Sequence, residues 1–211
     1  MTRTFSILFL FLFLASCGKG GGGGSSSGSM AEISDTDVSG VAPVQAQTFD
    51  INAELTGFDR DQEEKIYAAF DLIKKVIASD EFKKRVLSKT YKGKKQYVDN
   101  GGYTNAQIYK KLLEGSEKLT PGKNNTMDLQ LETYYVSERV IGYTMPSIRK
   151  IFMNRKYLNT FAPNEVAMNL THEWLHKLGF KHSAKMNAAR PHSVPYAIGY
   201  IMRELAKKHG Q

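Results

Sequence analysis

Residues 48–211 predict an α+β domain, and three observations carry that prediction. Met127, Leu129, Leu131 and Thr133 alternate with Asp128, Gln130 and Glu132, the two-residue period of a strand with one buried face. Ile66, Phe70, Ile73 and Ile77 recur at helical spacing and form one apolar stripe. Val166, Leu170, Trp174 and Leu178 form a second stripe, on a segment that also carries His172, Glu173 and His176. Strand and helix periods in separate segments call for a sheet backed by helices, and roughly 160 residues suffice for one core.

In chain order, Thr48 to Leu55 reads as the first strand. Asp61, with Glu64 three positions on, is a capping-box pattern that starts a helix running to about Ser79. Asp80 is placed to cap a second, more basic helix, and Thr104 with Gln107 caps a third that carries Ile108 and Leu112. The strand through Met127 to Thr133 follows. In the extended segment Ser147 to Leu158, Ile148, Ile151, Phe152 and Tyr157 are mixed with Arg149, Lys150, Arg155 and Lys156, and so charged a strand suits a sheet edge. Pro163 fits the first turn of a helix, where no N–H partner is needed, and Asn164 and Glu165 suit its positive end. Ala197, Ile198, Ile201 and Met202 continue an apolar pattern into a terminal helix.

The first 47 residues stand apart. Arg3 precedes an almost wholly apolar run from Phe5 to Leu14, and Leu14-Ala15-Ser16-Cys17 ends it with small residues, so residues 1–16 have the layout of a secretory signal. About a dozen apolar residues rise only about 18 Å as a helix, too short for a hydrocarbon core of about 30 Å. The stretch closely resembles the lipobox of bacterial lipoproteins. That resemblance implies lipidation of Cys17, a membrane contact through that lipid and a place in the cell envelope. Gly18 stands where inner-membrane lipoproteins carry aspartate, which favours the outer membrane. Residues 17–47, with their Gly/Ser run and the acids Glu32, Asp35 and Asp37, read as a flexible tether spanning roughly 30 Å. Cys17 is the only cysteine, so a folded domain after the tether has no disulfide.

The formal charge is +8, and the lysines are spread over Lys74 to Lys95, Lys110 to Lys123 and Lys181 to Lys208. They lack the interleaved aromatics of a single-strand binder, so a solvated surface with a weak preference for anionic lipid or acidic substrates is expected, and nucleic acid is not. No internal repeat is present, and a monomer is expected.

The chemistry concentrates in THEWLHKLGFKH, residues 171–182. His172 and His176 lie one helical turn apart, about 40° around the axis, so both imidazoles leave one face toward a single point. Gly179 can take the left-handed conformation that ends a helix, which lets His182 swing back to the same point. Three neutral imidazoles on one side of Zn²⁺ leave a fourth position open to water. Glu173 lies beside the first of them. In a shuffled chain of this composition the extended pattern arises with odds on the order of one in 10⁵.

His172-Glu173-x-x-His176-x-x-Gly179-x-x-His182 matches the signature of the metzincin clan of zinc endopeptidases, which the chain resembles. The resemblance implies a zincin domain with a twisted mixed sheet, a backing helix, an antiparallel edge strand that holds substrate, an active-site helix and a short C-terminal helical subdomain. It implies zinc on His172, His176 and His182, Glu173 as general base, and hydrolysis of protein or peptide substrates. The chain departs from the clan downstream. Where a methionine turn is expected, it reads Ser193-Val194-Pro195-Tyr196; Met186 follows His182 too closely and Met202 belongs to the terminal helix. Pro195 would fix that turn, and Tyr196 is then placed either to donate to an oxyanion or to fill the core, with Arg190 and His192 as alternative donors. Two other readings remain, a zinc-stabilised binding or scaffold lipoprotein without catalysis and a zinc amidase acting on cell-wall peptides. Glu173, which a structural zinc site does not need, and the lack of a cysteine to close the fourth position favour the peptidase.

Overall fold

The computed structural model describes residues 48–210 apart from Pro121 and Pro146; the signal and tether expected in residues 1–47, Cys17 included, lie outside the described residues. Strand β1 (Asp50–Thr56) leads into helices α1 (Arg60–Ile77), α2 (Asp80–Leu87) and α3 (Asn105–Glu114). Strands β2 (Thr126–Tyr134), β3 (Gly142–Thr144) and β4 (Lys150–Asn154) follow, then a single turn α4 (Arg155–Leu158) and the long helices α5 (Pro163–Lys177) and α6 (Val194–His209). The class is α+β, a four-stranded mixed sheet with six helices among the described residues. None of those helices is long and apolar enough to cross a membrane.

The sheet order is β1-β2-β4-β3. β1 and β4 both run parallel to β2, with Ile51 opposite Met127 and Leu131 opposite Ile151. β3 is antiparallel to β4, with Tyr143 opposite Phe152. The alternation in β2 does what its period predicts, burying Met127, Leu129 and Leu131 while the residues between them stay half-exposed. Together with Ile151 and Met153 of β4 they form the floor on which the helices pack.

The segment Ser147 to Leu158 departs from its expected form. Only Lys150–Asn154 is strand, and it is interior, flanked by β2 and β3. Its charged second half is α4, because the Asn154 side chain accepts from the Lys156 N–H at 3.1 Å and turns the chain out of the sheet. The antiparallel edge is instead Gly142–Thr144, three residues too short to show a period in sequence. Lys150 keeps its charge on the solvent face by pairing with Glu132 across the sheet.

Two caps also shift. Asp59, not Asp61, caps α1, in a reciprocal box with Gln62: the Gln62 N–H reaches the Asp59 carboxylate at 2.9 Å and the Asp59 N–H reaches the Gln62 amide oxygen at 3.2 Å. α2 is capped by the Ser79 hydroxyl rather than by Asp80, which occupies the first helical position. The Thr104–Gln107 box on α3 forms as expected. Ile66, Phe70, Ile73 and Ile77 of α1 meet Val166, Leu170, Trp174 and Leu178 of α5 and Ile198, Met202 and Leu205 of α6 in one continuous core. α6 is therefore part of the main core and not a separate subdomain.

Candidate metal centre

The rotation of α5 about its axis is fixed from the side opposite its histidines. Trp174 is fully buried, its indole N–H donates to the Glu117 carboxylate, and the edge of its ring system meets Phe49 at 5.8 Å between centroids. Glu117 also accepts the Asp128 N–H at 3.2 Å, beyond the point where β4 begins to pair with β2. With Trp174 held there, His172 and His176 project together from the other face.

The helix then stops in a Schellman turn. Gly179 has φ +98°, its N–H bonds the His176 carbonyl at 3.0 Å, and the Phe180 N–H bonds the Leu175 carbonyl at 3.1 Å. A side chain at 179 would be strained by that φ and would also collide with the Lys118 side chain, which crosses this position. The reversal brings His182 back as expected. One nitrogen from each of His172, His176 and His182 lies within 4.8 Å of the other two, a cluster able to hold a metal ion. The His172 and His182 Nε2 atoms are 3.2 Å apart.

Two of the histidines commit their other nitrogen to a backbone carbonyl. His176 Nδ1 donates to Phe180 at 2.8 Å and His182 Nδ1 to Ser183 at 3.0 Å. A carbonyl can only accept, so these bonds hold the protons outward and leave an unprotonated nitrogen facing the shared point. The Pro195 backbone lies close enough to His172 to favour its protonated form, against the larger effect of burial. Burial, with the neighbouring histidines adding to it, lowers His172 to about 3. Burial lowers His176 to about 4, and it also pulls His182 down. All three are thus held in the neutral, ligating form.

Glu173 is 5% exposed, and burial pushes its carboxyl up to about 8 against the opposing pull of Lys177 one turn on. Its charge reaches two phenols: it adds to the burial that raises Tyr134, at the end of β2, to about 12, and to the burial that raises Tyr196. Lys177 is itself buried, with its ammonium donating to the Met145 and Ile148 carbonyls in the β3–β4 connection.

Ser193 to Tyr196 does not form a separate turn. Ser193 caps α6, and Val194, Pro195 and Tyr196 are its first helical turn, which tolerates the missing proline N–H. The expected site residue Tyr196 nevertheless reaches the cluster: its ring lies edge-on to His172 at 4.5 Å and tilted to His182 at 4.7 Å. Gly199 faces α5 at this point, its Cβ position 3.4 Å from the Met168 carbonyl and 3.6 Å from His172 Cβ, so α6 and α5 are in direct contact beside the cluster. The Arg190 guanidinium lies 4.7 Å from the centre of the Tyr196 ring on its way out of the site. His192 packs its ring on Tyr91 at 4.9 Å instead. Met186 is 85% exposed, and Met202 is buried in α6 as expected.

Several contributors escaped the sequence reading. The carbonyls of Phe180 and Ser183 carry no residue signature. Tyr134 comes from a strand remote in sequence. Lys177 alone had a local signal, its four-residue spacing from Glu173. No family model matches the chain, and no curated protein or solved structure matches it.

Proposed function

We propose that this chain is a zinc-dependent, metzincin-like endopeptidase that hydrolyses peptide bonds in the cell envelope or outside the cell, tethered through a lipid on Cys17. The observation that carries the reading is the convergence of three neutral imidazoles, two of them held by backbone carbonyls, beside the buried carboxylate of Glu173. The three nitrogens lie within 4.8 Å of one another and one pair is 3.2 Å apart, and an all-imidazole donor set suits zinc among the metals such a cluster could take. His172, His176 and His182 would hold the ion. Bound there, zinc supplies Lewis acidity that polarises a carbonyl and makes water nucleophilic at neutral pH.

The chain's own residues supply the proton chemistry. Glu173 takes the proton of the attacking water and hands it to the departing amine, and a carboxyl held near 8 in the absence of a cation is tuned to do both near neutrality. A cation beside it shifts it toward the ionised form that accepts a proton. Tyr196, edge-on to His172 and tilted to His182, would donate to a developing oxyanion. Lys177 fixes the β3–β4 connection against the helix, so edge strand and histidines keep one relative position.

The test is metal analysis of the purified full-length chain together with cleavage of a peptide library. One zinc per chain and cleavage are expected, and Glu173→Gln should keep the metal while losing at least about 10²–10⁴-fold in rate. A chain that takes up no metal, or a Glu173→Gln variant that cleaves as fast as the parent, ends the proposal.

A further inference from the structure

Beyond the histidines, a cleft of about 620 Å³ opens along the loop that follows α5, with His182 in its wall. Its size suits a side chain or short peptide segment rather than a single ion. Phe180 and Tyr103 stand at its side with their rings edge to face at 5.8 Å, giving it an apolar wall. Its charged lining comes from three separate stretches of chain: Lys111 on α3, Lys118 in the connection to β2, and Lys181 between the second and third histidines. Asp99 is the one acid among them. None of the three lysines is in an ion pair among the described residues, whereas Lys110 and Lys123, close to them in sequence, both pair with Glu114.

Three lysines outside any ion pair against one acid, Asp99, give the lining of this partly apolar cleft an excess of positive charge. The cleft adjoins the metal centre, since His182 belongs to both. We infer that this cleft is a specificity subsite that accepts a carboxylate side chain of the substrate, so that the enzyme selects peptides with Asp or Glu at one position beside the bond presented to the histidines. Tyr103, backed by the buried Phe180 ring, takes the methylenes of that side chain, and the lysines meet its charge. A lysine or arginine at the same position would meet like charge and be rejected. The inference rests on the endopeptidase reading for the identity of the site, but the charge selection it describes is a binding property and can be read without turnover.

The probe is a set of fluorescein-labelled octapeptides of alanine and glycine in which one glutamate is moved through each position, each paired with its glutamine counterpart. Binding is measured by anisotropy to the zinc-loaded full-length Glu173→Gln chain, and cleavage of the same peptides is measured with the parent. At one position glutamate should bind about tenfold tighter than glutamine, the preference should shrink as salt is raised, and it should reverse in the double variant Lys111→Glu, Lys181→Glu. Lys111 is half-exposed and Lys181 exposed, and zinc content of the double variant reports whether its site is intact. Glutamate and glutamine bound equally at every position, or a preference unchanged by the double variant, would overturn the subsite. Absence of cleavage with the binding preference intact would instead sink the peptidase reading and leave the subsite standing.

Discussion

Replacing Glu173 by glutamine should stabilise the metal-free chain while abolishing its chemistry. Glu173 is 5% exposed and its carboxyl is pushed from 4.5 up to about 8 by burial. An acid raised on folding stabilises the fold fully below its unfolded midpoint, and that stability is lost as pH rises toward the folded midpoint. The window is therefore 4.5 to about 8. At 1.36 kcal/mol per unit, the carboxyl costs the fold about 3 kcal/mol at pH 7 and about 5 kcal/mol above pH 8. Glutamine has the same shape and no charge to bury. The two chains should melt together near pH 4.5 and diverge as pH rises, with the variant about 6–12 °C higher at pH 7. Thermal denaturation followed by circular dichroism, in the presence of a chelator and at several pH values, measures the gap; the histidines titrate in both chains and drop out of the difference. A gap that does not widen from pH 5 to pH 8, or a variant that melts lower at pH 8, would refute the claim that this carboxyl is held desolvated. The expected pattern is that of a functional group kept at the expense of stability.

Tyr196→Phe should slow turnover about a hundredfold, near 3 kcal/mol of transition-state stabilisation, with zinc content unchanged; a lower melting temperature with unaltered turnover would assign the ring to packing against His172 and His182. Because burial holds His172 near 3 and His176 near 4, metal should stay bound at pH 5.5, and occupancy lost with a midpoint near the ordinary histidine value would contradict that environment. Gly179→Ala should cost about 1–2 kcal/mol from its positive φ and displace His182, read as a lower melting temperature together with weakened metal retention in dialysis.

The local rules were sufficient wherever one segment decides its own structure. The period of Met127 to Leu131, the stripes of α1 and α5, the Thr104–Gln107 box and the stop at Gly179 all follow from bonds within a few residues, and the structure carries each of them. Where two candidates competed locally, the neighbour won: Asp59 over Asp61 because Gln62 can answer it, and Ser79 over Asp80 because its hydroxyl reaches Phe82. The edge strand was misplaced because Gly142–Thr144 is too short to carry a period and because the charges of β4 are met across the sheet by Glu132, a partner no local window contains.

The sequence by itself determined which side chains could form the cluster, since the spacing of His172, Glu173, His176, Gly179 and His182 on a helix and its reversal leaves little freedom. Tertiary structure decided what that cluster is chemically. The desolvation that lowers the histidines and raises Glu173 comes from the packing around them, and Tyr134 and Tyr196 arrive from β2 and α6. Protonation is set by the whole surroundings of a group, and those surroundings are assembled from segments that share no pattern in the chain.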